Sequence, residues 1–304
     1  MDDTKDLCVY YPFTAIVGQE KMKNALLLCL IDPSLGGILI RGEKGTAKST
    51  AVRGLERLMP GKRVVELPLG ATEDRVAGTL DIEHALTTGA KRFEPGILSD
   101  AHENILYIDE INLLEDHIVD IILDAAAMGV NYIEREGISY SHPARFVLVG
   151  TMNPEEGDLR PQLIDRFGLS VEISGEREKS SRIEVMKRRL LYEEDPAGFV
   201  EKQMPEEELL KARVAGAMKL LSDVEVPEEM MDLAVGIALK ADIDGHRGDI
   251  TMVKAARIFA ALDGRTEVQR EDILSGAELA LPHRRRRSPF EETGFSLKTL
   301  LEDE

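Results

Sequence analysis

The chain has 304 residues, 43% of them hydrophobic, enough for about two domains with a packed core, so a disordered polypeptide is excluded. The formal charge of −18, the absence of Trp and the 5% aromatic content oppose nucleic-acid binding, which draws affinity from Lys and Arg on phosphate and from stacked rings. No apolar run reaches the ~18 residues of a membrane span. The acidic start MDDTKDLCVYYPF is no secretory signal, and Cys8 and Cys29 lack metal or redox spacing. A cytoplasmic protein with inert thiols is expected.

In chain order, the apolar run Gly37–Arg41 predicts a buried strand, followed by a glycine-bearing turn and a helix over Lys48–Met59 that Pro60-Gly61 ends. Further strands are predicted at Arg63–Leu67, Ile105–Asp109, Phe146–Gly150 and Leu169–Ile173. Short apolar strands alternating with helical patterns imply an α/β fold, a parallel sheet covered by helices. Two segments break the alternation. Leu69–Asp100 carries Gly70, Gly78, Gly89, Pro95 and Gly96, and Val130–Arg145 alternates around Glu136-Gly137 as a β-hairpin does. Insertions of this size read as functional loops. Beyond Glu176, helix-spaced apolar residues recur in Glu178–Glu193, Glu206–Leu221, Pro227–Ala241, Gly248–Leu262 and Gln269–Leu281. The expected organisation is an αβα domain over residues 1–176 and a smaller all-α domain over 177–304.

Gly42-Glu43-Lys44-Gly45-Thr46-Ala47-Lys48-Ser49-Thr50 follows a strand and opens a helix, the context of a Walker A phosphate loop. Glycine lets the backbone wrap phosphates, and the helix N-terminus offers free N–H groups to the anion. Lys48 is placed to reach the β- and γ-phosphates of ATP, and the Ser49 hydroxyl to bind Mg2+. Ala47 replaces the second glycine of the usual pattern, a change that is tolerable at negative φ. Ile105–Glu110 is an apolar strand ending in two acids: Asp109 as a Mg2+ ligand, direct or through water, and Glu110 to polarise the attacking water. Asn153 follows the fourth strand, where it either meets the γ-phosphate or serves as a turn residue before Pro154. Arg166 is either an arginine finger for a neighbour's phosphate or a surface partner of Asp165. Arg247 either touches the nucleotide from the α-domain or caps a solvated helix start. Ile16 and Val17 are expected against the adenine.

With these residues assembled, the chain closely resembles the AAA+ ATPase (I) subunit family of magnesium chelatase from about Phe13 to Arg287. The likeness lies in FTAIVGQEKMKNALLLCLIDPSLGGILIRGEKGTAKSTAV (13–52), in PLGATEDRVAGTLDIEHAL (68–86) and most distinctively in residues 93–169, which include ILYIDEINLLEDHIVDIILDAAAMG and RFVLVGTMNPEEGDLRPQLIDRFGL. The resemblance implies an AAA+ P-loop fold: a parallel five-stranded αβα sandwich with a helix-2 insertion within 69–100, a presensor hairpin at 130–145 and an α-helical lid. It implies a ring of identical subunits, hexameric by likeness, with ATP at each interface. Lys48 and Ser49 match Walker A, Asp109 and Glu110 Walker B, Asn153 sensor 1, Arg166 the trans finger and Arg247 the sensor-2 arginine.

The implied activity is ATP turnover that drives a divalent metal, Mg2+ or in a cobaltochelatase Co2+, into a tetrapyrrole. A D-type subunit with an adhesion domain and a large porphyrin-holding H-type subunit are the implied partners. A MoxR-like chaperone or remodelling ATPase is the alternative. No porphyrin cleft is readable, and His84, His102, His117, His142, His246 and His283 show no ligand spacing, so solvated or packing roles are expected for them. His283–Arg287 is the one basic run, expected to meet a neighbouring subunit or a following domain. The acidic stretch after it reads as a natural end or as the start of a linker to an adhesion-type domain.

Overall fold

The computed structural model of the chain describes residues 10–59, 61–81, 92–135 and 138–285. It opens with α1 (Glu20–Ile31), β1 (Ile38–Gly42), α2 (Lys48–Leu58) and β2 (Val64–Glu66). The first insertion follows as α3 (Glu73–Ala77), β3 (Gly78–Asp81), β4 (Arg92–Pro95) and α4 (Ile97–Asp100). Then come β5 (Ile105–Ile108), α5 (Asp116–Met128), β6 (Val130–Arg135), β7 (Ile138–Pro143), β8 (Val147–Met152), α6 (Pro161–Arg166) and β9 (Leu169–Ile173).

Five strands form one parallel sheet in the order β2-β5-β8-β1-β9. Successive side chains of a strand point to opposite faces, and β1 shows the consequence. Ile38 and Ile40 pack with α1 and α2 and with later helices, among Leu26, Leu28 and Leu55. Leu39 points the other way, into a cluster with Ile118, Val119 and Ile122 of α5 and with Leu106, Ile108 and Leu148. A strand apolar on both faces needs cover on both, and burying each such side chain contributes roughly 1.5–3 kcal/mol. All five predicted strands therefore form where the apolar runs placed them.

Both insertions contain antiparallel hairpins, β3 with β4 and β6 with β7. The expected turn at Glu136-Gly137 and residues 82–91, His84 included, lie outside the described residues. The hairpins meet where Phe93 stacks on Tyr140 with ring centroids 4.1 Å apart. Buried Asn131 donates to the Ala77 carbonyl at 2.9 Å and lies 3.0 Å from His142 Nε2, which gives that histidine a packing role.

After β9, five α-helices follow among the described residues: α7 (Lys179–Glu194), α8 (Pro196–Leu220), α9 (Glu228–Lys240), α10 (Arg247–Leu262) and α11 (Arg270–Ala280). One departs from expectation. α8 starts at Pro196 rather than Glu206 and runs through Pro205. Its start is favoured by Asp195, whose side chain accepts from Gly198 N at 2.9 Å, and by Pro196 in the first turn. Past Pro205 the helix is anchored by Glu207, only 3% exposed, which accepts from Thr14 N at 3.0 Å and from Arg57 Nε at 3.2 Å. A local cap before Pro205 and a tertiary anchor after it thus override a residue that disfavours helix interiors. Among the described residues no helix is long and apolar enough to cross a membrane.

Candidate nucleotide site

The carboxyl ends of β1, β5 and β8 lie side by side, and in open α/β sheets that edge is where ligands bind. The loop leaving β1 must turn there beside β9. A Cβ on Gly42 would come within 2.3 Å of the Ile173 carbonyl oxygen, so only glycine fits. Gly45 has φ +82°, open to glycine at no steric cost. Ala47 has φ +63° and ψ +19°, so the condition of negative φ is not met: the methyl is carried in the left-handed region. That conformation costs an L-residue roughly 1–2 kcal/mol, accepted because α2 has to start at Lys48.

The loop closes on itself through Thr46 Oγ1, which donates to the Glu43 carbonyl at 2.8 Å. Lys48 Nζ curls back to donate to the Gly42 carbonyl and to that of Glu43, the latter at 3.0 Å. Burial lowers the Lys48 pKa from its ordinary value, while the carboxylates of Asp109, Glu110 and Glu156 oppose that shift.

At the end of β5, Asp109 sits in a chain of hydroxyls. Tyr107 Oη lies 2.8 Å from Asp109 Oδ1 and 3.0 Å from Ser49 Oγ. Thr151 Oγ1 donates to the same Asp109 oxygen at 2.6 Å and accepts from Glu110 N at 3.1 Å. Burial raises the Tyr107 pKa above the ordinary phenol value, so the phenol keeps its proton. Glu110 has φ +54°, and its carboxylate lies 3.4 Å from Lys44 Nζ, which also pairs with Glu156 at 2.6 Å. Asn153, 4% exposed, accepts from Glu155 N at 3.2 Å, so its turn role is real. It also lines the cavity described next.

A cavity of about 630 Å3 brings most of the expected residues together: Ile16, Val17, Lys44–Thr50, Asp109, Glu110 and Asn153 line it. Gly42 and Glu43 contribute through the carbonyls that hold Lys48. Tyr11, Thr151, Val185 and Arg189 also line it and were not foreseen. Tyr107 was legible in principle, since two residues before Asp109 on a strand is the same face. Tyr11, Val185 and Arg189 come from distant segments with no local pattern to mark them.

Arg166 and Arg247 are not part of this cavity. Arg166 Nη1 pairs with Asp120 at 3.0 Å and Asp124 at 2.8 Å on α5. Arg247 Nη1 pairs with Asp165 at 3.1 Å. α10 starts beside the Arg166 loop instead of over the phosphate loop. The basic run is likewise corrected at its first two residues. Arg284, 2% exposed at its side chain, donates to the carbonyls of Phe167 at 2.7 Å and Gly168 at 2.9 Å and approaches Asp165. His283 Nε2 donates to the Phe167 carbonyl at 3.0 Å. Both clamp the loop that carries Arg166, an internal role that a cluster of like charges does not suggest.

Residues 37–167 match the AAA domain (dynein-related subfamily) and residues 231–303 the AAA lid domain. The magnesium-chelatase subunit ChlI homolog of Methanocaldococcus jannaschii is 50% identical, over 92% of this chain and 87% of its own length. The magnesium-chelatase 38 kDa subunit of Acidiphilium rubrum is 48% identical over 93% of both chains. Among solved structures, a chain of the complex between subunits BchI and BchD of magnesium chelatase, built on a single-particle cryo-EM reconstruction, superposes with a TM-score of 0.54 at 46% identity. That match covers 92% of this chain and 97% of the other.

Proposed function

This chain belongs to the AAA+ I-subunit family of magnesium chelatase, and from that membership we infer that it is the ATP-hydrolysing motor of a chelatase that drives a divalent metal into a tetrapyrrole. Mg-ATP is its ligand, further copies of the chain complete its sites in a ring, and D-type and porphyrin-holding H-type subunits are its partners. A cytoplasmic location accords with this reading. The carrying observation is the convergence of Lys48, Ser49, Asp109, Glu110 and Asn153 on one cavity, with Arg166 and Arg247 outside it. The relatives bear chelatase names, so the remodelling-chaperone reading is not favoured.

In this reading Lys48 exchanges its two loop carbonyls for the β- and γ-phosphate oxygens. Ser49 Oγ and the Asp109 carboxylate are hard oxygen donors joined through Tyr107. No three His, Cys, Asp or Glu converge on a metal cage among the described residues. Such a sparse oxygen set fits Mg2+, which keeps waters and shares phosphate oxygens. When bound, that ion supplies neutralisation of the phosphate charge. Glu110 leaves Lys44 to orient and polarise the attacking water, with Asn153 beside it. Arg166 of a neighbouring copy leaves Asp120 and Asp124 to stabilise charge on the transferring phosphoryl group.

ATP turnover measured with and without H- and D-type partners tests the proposal. Glu110→Gln is expected to retain Mg-ATP yet lose turnover about 100-fold or more. Equal, near-zero rates in wild type and variant would sink the motor.

A further inference from the structure

We propose that Tyr107 is a positioning residue for the magnesium ion of the bound nucleotide, acting by accepting a hydrogen bond from the Ser49 hydroxyl; this rests on the Mg-ATP reading of the same site. Tyr107 is 2% exposed, its ring packed in the core with Ile38 and Leu55, and its hydroxyl is the atom that bridges Ser49 and Asp109. For packing alone, phenylalanine would serve.

The direction of the two hydrogen bonds follows from proton counting. An ionised carboxylate only accepts, and a phenol has one proton. Tyr107 therefore donates to Asp109 Oδ1, and its oxygen can only accept from Ser49. A serine hydroxyl ligates a cation through a lone pair, so its single proton has to point away from the metal. Tyr107 Oη, 3.0 Å from Ser49 Oγ, supplies the acceptor on that side.

The same hydroxyl, through its second hydrogen bond, orients the aspartate. Asp109 Oδ1 takes the protons of Tyr107 and Thr151, at 2.8 and 2.6 Å, and Thr151 is itself held by Glu110 N. The carboxylate is pinned by one oxygen, and the other takes no part in this chain. Serine and aspartate, two separate elements of the site, are thereby set to a single orientation before any ligand arrives.

The test is Tyr107→Phe, with binding of a fluorescent ATP analogue measured in EDTA and across a Mg2+ titration. Affinity in EDTA is expected to stay within about twofold of wild type. The gain produced by Mg2+ should shrink about tenfold, the loss of roughly one hydrogen bond. Half-saturating Mg2+ for turnover should rise by a similar factor, with kcat recovering at saturating Mg2+. In a Ser49→Ala background, Tyr107→Phe should cost less Mg2+ dependence than it does in wild type, only the part carried by Asp109 remaining. An unchanged Mg2+ titration overturns the proposal, as does an equal loss in EDTA and in Mg2+, which would mark a purely structural role. A Tyr107→Phe loss as large in the Ser49→Ala background as in wild type overturns it too. Wild type that ignores Mg-ATP altogether would instead sink the nucleotide reading.

Discussion

The phosphate-loop side and the arginine side of this molecule hold their charges in opposite ways. Around the cavity, each group is set by its own chain: Lys48 on loop carbonyls, Ser49 and Asp109 through Tyr107, Asp109 again through Thr151. On the other side, Arg166 and Arg247 are paired with exposed acids, Asp120, Asp124 and Asp165. The loop beneath them is fixed by His283, half-buried, and by Arg284, whose side chain is 2% exposed. Exposed pairs contribute only about 0–1 kcal/mol, whereas breaking a buried charged contact costs about 3–5 kcal/mol. An arginine on exchangeable partners can therefore leave for a phosphate at little cost while its loop stays in place. One side is prepared to receive a ligand, and the other to be delivered to one.

The sharpest way to break this division is complementation. Arg166→Ala should lower turnover about 1,000-fold, as loss of an arginine finger does, with Mg-ATP binding intact. Lys48→Ala should be inactive through lost binding. Mixed together, the two variants should regain turnover, because some interfaces then pair an intact loop with an intact arginine. Normal hydrolysis by Arg166→Ala alone would show that Arg166 is not the finger.

The clamp beneath the arginines should show in acid. Burial, with the nearby Arg284 and Arg41 charges, pushes the His283 pKa down to about 3, against 6.5 ordinarily. The unfolded chain therefore binds a proton there that the folded chain refuses. His283 contributes no pH dependence above about pH 6.5. Between there and pH 3 it lowers stability by up to about 1.4 kcal/mol per pH unit as the pH falls. Urea unfolding of wild type and His283→Gln across this range checks it; parallel curves would place the acid sensitivity elsewhere.

The smallest effect belongs to the phosphate loop. Ala47→Gly removes a methyl from a left-handed position, relieving roughly 1–2 kcal/mol against about 0.5–1 kcal/mol of glycine entropy, and should raise the urea midpoint slightly. A midpoint lowered by the full glycine cost of about 0.5–1 kcal/mol would mean that the loop stores no strain at Ala47.

Much of this was legible residue by residue. The five strands form at their apolar runs, the 130–145 segment folds as a hairpin, and the Walker A and Walker B residues meet at one cavity. Other features escaped because their causes are not local. α8 runs through Pro205 because Glu207 is bound by Thr14 and Arg57 from the other end of the chain. Arg247 is paired with Asp165, a partner 82 residues earlier in the chain that no local pattern marks. The basic run turned inward because backbone carbonyls at Phe167 and Gly168 offered acceptors that composition does not display.

The amino-acid order by itself determined the elements, the phosphate loop and the acids facing it, since strand period, helix spacing and glycine placement act over a few residues. Only the tertiary structure decided the left-handed Ala47, the Ser49–Tyr107–Asp109 chain and the turning away of Arg166 and Arg247. Those depend on which strands lie adjacent and where a helix docks. Such relations arise when segments far apart in the chain compete for the same buried surface and the same hydrogen-bond acceptors.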